Sequence, residues 1–142
     1  MPTNNRPIKA MKFSWERLAE HLRAELGELG GLIRLLELRR EGEFKRAMAL
    51  PGEFEATLVA QAAAVQTSRR AREKTLQAFP HAHYLPGRAI PEGFLKEVAP
   101  EAQPLIQALG EEIEQLDGRL RRLVRRLPVA KQRKLHGVMK SA

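Results

Sequence analysis

The sequence predicts an all-α protein, an elongated antiparallel helical bundle or coiled coil of three main helices. Leu, Ala, Glu and Arg dominate while the 142 residues hold one Trp, one Tyr and five Phe, the composition of long helices rather than sheets. Apolar residues recur at steps of three and four in three separate segments, and no stretch sustains the period-two alternation of a half-buried strand. The length fits one domain.

The first 12 residues combine two prolines with two asparagines and little apolar material, and read as a flexible N-terminal arm. Ser14 stands where an N-cap would, so a helix is expected from there, and the single helical domain spans 13–127. Trp15, Leu18, Leu22, Leu26, Leu29, Ile33 and Leu36 share one side of this helix. Leu22, Leu29 and Leu36 are spaced as a coiled-coil seam. Gly27, Gly30 and Gly31 each cost about 1 kcal/mol relative to Ala inside a helix, so they mark a bend or a close helix crossing. Gly42 is a stop or bend, and Phe44, Met48 and Leu50 briefly resume the pattern.

A second helix is expected to start near Pro51, because proline suits a helix start and disrupts a helix interior. Its buried side reads Phe54, Leu58, Ala62, Val65, Leu76 and Phe79, and the small residues of "AQAAA" permit close approach of another helix. Residues 80–92, "PHAHYLPGRAIPE", contain three prolines and a glycine and form an irregular connector. "EGFLKEVA" adds a short helical turn.

The last helix is the clearest signal. Ile106, Leu109, Ile113, Leu116, Leu120, Leu123 and Leu127 form a heptad stripe that Pro128 ends. This stripe is a packing surface, closed by another helix of the same chain, by a second copy, or by an amphipathic helix of a partner. Its seven residues are the expected partner-binding residues.

Charge is localised. Nine of the 25 basic residues lie between 118 and 142, where there is no acid, leaving sixteen against all seventeen acidic residues in the rest of the chain. Arg119, Arg121, Arg122, Arg125, Arg126, Lys131, Arg133 and Lys134 make up a basic surface that is either the polar side of the last helix and its tail (128–142) or a handle for phosphates. Interleaved aromatics of the kind that stack on bases are missing from it.

Catalytic signals are weak. There is no glycine-rich phosphate loop, nucleophile elbow or zinc-protease motif, and the acids Glu111, Glu112, Glu114 and Asp117 read as helix-surface ion pairs. His81 and His83 lack a third ligand nearby, so no metal site or cofactor is expected. With no cysteine, disulfides and thiolate metal sites are excluded. The N-terminal sequence lacks a signal-peptide apolar core, and no run approaches ~18 apolar residues. The expectation is a cytoplasmic, non-enzymatic protein.

Two segments, "LGELGGLIRLLELRREGEFKRAMALPGEFEATL" at 26–58 and "LIQALGEEIEQLDGRLRRLVRR" at 105–126, give a leucine-rich first helix, a charged break, a second helix and a final amphipathic helix. This order of parts resembles the FlgN family of flagellar export chaperones. The resemblance implies a helical cytosolic chaperone of flagellum biogenesis, linked to type III secretion, that holds C-terminal helices of hook-filament junction-type proteins. It places Ile113, Leu116, Leu120, Leu123 and Leu127 in the substrate-engaging region. The alternatives are a basic coiled-coil protein that binds nucleic acid or an anionic membrane surface, and a structural homodimer.

Overall fold

The computed structural model describes residues 5–41, 53–77, 88–91 and 93–140, with side chains of the first helix from Trp15 to Leu38. Four α-helices and one 3₁₀ turn follow one another: α1 (Asn5–Glu41), α2 (Glu53–Leu76), the 3₁₀ turn (Phe94–Glu97), α3 (Gln103–Arg125) and α4 (Val129–Lys140). There is no strand among the described residues.

Helix α1 begins nine residues before Ser14, so the expected arm is helical from Asn5 onward. Pro7 lies in the first turn, where backbone donors have no intrahelical partner and its missing N–H costs nothing. The glycines do not interrupt α1 either. Gly31 marks a close crossing: a Cβ there would sit 2.8 Å from Gln61 Nε2. That amide donates to the Glu28 carbonyl at 2.9 Å and to Glu28 Oε2 at 2.8 Å, which ties α2 to α1.

Helix α2 starts two residues after Pro51, with Glu53 and Glu55 in its first turn and Lys74 in its last, as the helix dipole favours. Phe54, Leu58, Ala62, Val65 and Leu76 are buried as the periodicity requires. Gly42, Phe44, Met48, Leu50, Phe79 and most of the 80–92 connector, His81 and His83 included, lie outside the described residues. The connector's end is held tightly. Ala89 donates its N–H to Glu114 of α3 (3.0 Å) and its carbonyl accepts from Arg72 of α2 (2.8 Å). Gly93 then takes a left-handed φ of 81°, open to glycine at no steric cost, and turns Phe94 and Val98 into the core.

Helix α1 packs against both α2 and α3, and α4 packs against α2. Gln61 meets Glu28 and Arg72 meets Glu25, so α1 and α2 are antiparallel. Trp15 meets the Phe94 ring edge-on at 5.4 Å, just ahead of α3, while Glu37 pairs with Arg119 in its second half. Helices α1 and α3 therefore run in parallel, so of the expected antiparallel bundle of three helices the α1–α2 pair is antiparallel, the α1–α3 pair is not, and a fourth helix is added. No described helix is long and apolar enough to cross a membrane.

The segment after Pro128 is a helix rather than a simple tail. Pro128 closes α3 and opens α4 in one step, since its carbonyl accepts from the N–H groups of Lys131 (2.9 Å) and Gln132 (3.0 Å). The Gln132 side chain reaches back to the Arg125 and Leu127 carbonyls, two acceptors that the end of α3 leaves without helical donors. Leu135 is buried, so the folded unit extends beyond residue 127.

Candidate functional site: a basic cleft between α3 and α4

The heptad stripe of α3 is spent within the chain. Ile106, Leu109, Ile113, Leu120 and Leu123 are buried, and Leu116 and Leu127 pack partly buried against the same core. Of the three ways to close the stripe, the structure takes the first, with α1 as the covering helix. Of these residues, Leu120 also lines an opening.

That opening is a cleft of about 590 Å³ between α3 and α4, the size of many ligand and peptide sites. Helical spacing builds it. Leu120 and Val124 from α3 and Leu135 and Met139 from α4 supply its apolar lining. Asp117, Arg121 and Arg125, four residues apart, form one rim, and Gln132, His136 and Lys140, again four apart, form the other. Arg69 of α2 closes one end. Gln132 bonds to Arg125 at the turn, so the two rims run antiparallel and place Lys140 toward the Asp117 end.

Behind Arg69 lies a buried charge cluster. Glu25 is fully buried; its Oε1 is 3.1 Å from Arg72 Nε and its Oε2 is 3.5 Å from Arg69 Nε. Arg69 also donates from Nη2 to Asp117 Oδ1. Neither Glu25 oxygen makes a hydrogen bond, so the two arginines hold it through ion pairing. Desolvation raises the Glu25 carboxyl above its ordinary 4.5; Arg72 and then Arg69 oppose this, and Asp117 and Glu73 add to it. Arg69 thus links the cleft to the core.

The expected basic surface divides. Arg121 and Arg125 line the cleft, Arg119 pairs with Glu37 (2.6 Å), and Lys134 lies 3.7 Å from Glu55. Arg122, Arg126 and Arg133 are exposed outside the cleft, and Lys131 is half-buried at the turn. Sequence reasoning missed Arg69, Gln132, Leu135, His136 and Met139 as one site, because α2 and the two sides of a proline supply them. Among the described residues no three His, Cys, Asp or Glu side chains gather as a metal site. No family model, curated protein or solved structure matches the chain.

Proposed function

We propose that this protein is a non-enzymatic adaptor of chaperone type that holds an amphipathic helix of a partner protein between α3 and α4. One observation carries the reading: Leu120, Val124, Leu135 and Met139 line a cleft that stays open after α1 has closed the heptad stripe. Leu120, Val124 and Leu135 are buried, so Met139 is the accessible apolar contact the cleft offers to the apolar side of a third helix. The role agrees with what the FlgN resemblance implies, although the contact shifts. A partner would meet the half-buried Met139 from the cleft, whereas Leu120, like Ile106, Leu109 and Ile113, is buried in the core.

Hook-filament junction-type proteins are the partners that the resemblance implies. A photo-crosslinking residue at position 139, used in the native cell, tests the reading. The expected product is a discrete protein adduct whose crosslinked peptide is helical, with a flagellar or secretion component as the family-specific outcome. Stoichiometric nucleic acid with no protein adduct would overturn it.

A second reading, binding of nucleic acid or an anionic membrane, draws on Arg122, Arg126 and Arg133, exposed on the outer side of the same helical pair. The homodimer has less support. Among the described residues, the exposed large apolar side chains are Leu105, near the start of α3, and Val129, the first residue of α4, too far apart to form one patch.

A further inference from the structure

We infer that the occupant of the α3–α4 cleft is an acidic amphipathic helix, recognised through carboxylates spaced one turn apart. The inference rests on the reading of the cleft as a helix-binding groove and adds the chemistry of its partner. Arg121 and Arg125 lie four residues apart on one rim, which puts their side-chain origins about 6 Å apart. Two Glu or Asp residues four apart on a partner helix have the same separation. Lys140 adds a third cation on the opposite rim.

The lining is unbalanced in charge. Arg69 is already engaged by Asp117 and by Glu25 behind it, which leaves Arg121, Arg125 and Lys140 without a balancing acid among the lining residues. Arg121 donates from Nε to the Asp117 backbone carbonyl at 3.4 Å, which aligns the guanidinium along the rim without neutralising it. A partner with an apolar residue toward the half-buried Met139 and carboxylates toward the exposed Arg121 and Arg125 satisfies both parts of the site. A basic helix would place like charges together at a cost that complementarity avoids. Asp117 directs the partner's acids toward the Arg121–Arg125 end.

The test uses the full chain and a fluorescein-labelled synthetic peptide of about 18 residues, long enough to hold helix in water, with leucines on one side and glutamates four apart on its flank. A twin carries lysines at the glutamate positions. Anisotropy is expected to give at least about tenfold tighter binding of the acidic peptide, weakening as salt is raised. Arg121→Glu with Arg125→Glu should abolish that preference. Arg122→Glu with Arg126→Glu, the same charge change outside the cleft, should retain it.

Equal binding of both peptides, lost in Met139→Asp, would overturn the acidic preference while leaving the groove reading intact. Acidic-peptide binding unaffected by Arg121→Glu with Arg125→Glu would likewise place recognition elsewhere. If neither peptide binds but laurate or duplex DNA does, the helix-binding reading itself fails.

Discussion

Glu25 Oε1 lies 3.1 Å from Arg72 Nε, in a part of the core where the glutamate side chain is fully buried and the arginine nearly so. A charge pair in such a place costs desolvation that its mutual attraction only partly offsets, so removing one member is far worse than removing both. Glu25→Ala should destabilise the fold by about 3–5 kcal/mol. Glu25→Leu combined with Arg72→Met should recover most of this loss. Recovery should stop about 1 kcal/mol or more short, because Arg72 also donates to the buried Ala89 carbonyl, which the double variant leaves without its donor. Urea unfolding of Glu25→Leu, Arg72→Met and the double variant measures the coupling.

The same glutamate gives stability an unusual pH dependence. Burial holds its carboxyl above 4.5 in the folded state, so over the interval above 4.5 the folded chain retains a proton that the unfolded chain has released. Its contribution is therefore greatest below 4.5 and falls as pH rises through the elevated folded value, the reverse of an ordinary surface ion pair. Glu25→Gln lacks this titration. The stability of the natural chain relative to Glu25→Gln should decline as pH is raised from 4.5, with the other carboxylates cancelling in the difference. Urea midpoints at a series of pH values check this, and a flat difference would contradict it.

The sequence was most legible where apolar periodicity decided the packing. Leu22, Leu29 and Leu36 are buried as their heptad spacing requires, and so are Phe54, Leu58 and Val65. The charged core was hidden by residue type rather than by spacing. Glu25 stands three after Leu22 and four before Leu29, on the apolar stripe, and it is buried where Leu26 is only half-buried. The stripe of α2 likewise shows a gap between Val65 and Leu76 that Arg69 and Arg72 fill. A gap of this kind, opposite a misplaced acid on another helix, was the available signal. The start of α1 and the whole of α4 were obscured by prolines, which read as breaks although Pro7 and Pro128 both stand where a helix begins. The cleft needed α4 to pack on α2 beside α3, which no local pattern encodes.

Two glycines should respond in opposite directions to alanine. A Cβ at Gly30 meets nothing within 4 Å, so Gly30→Ala should stabilise by about 0.5–1 kcal/mol through helix propensity alone. At Gly110 the added carbon would lie 2.7 Å from Ile90 Cγ1, part of a buried, β-branched side chain with little room to move. Gly110→Ala should therefore destabilise by about 1–3 kcal/mol, outweighing its propensity gain. Thermal unfolding of both variants, measured under the same conditions, gives the signs directly; stabilisation by Gly110→Ala would mean that the connector does not seat on α3 as described.

Truncation on α3 separates burial by the chain itself from burial by a partner. Ile113 is fully buried, whereas Leu105, on the same helix, is 41% exposed. In the isolated protein Ile113→Ala should cost about 2–5 kcal/mol, the range for a large-to-small change that leaves a core cavity. Leu105→Ala should fall within about 0.5 kcal/mol of the natural chain. If the heptad stripe were instead held open for a partner, both truncations would leave the free chain nearly unchanged and differ only in binding. Leu120→Asp or Leu123→Asp should likewise unfold the free chain, since both side chains are core residues and a carboxylate there is left without a partner. Urea midpoints of Ile113→Ala and Leu105→Ala, each without partner, decide between the two cases.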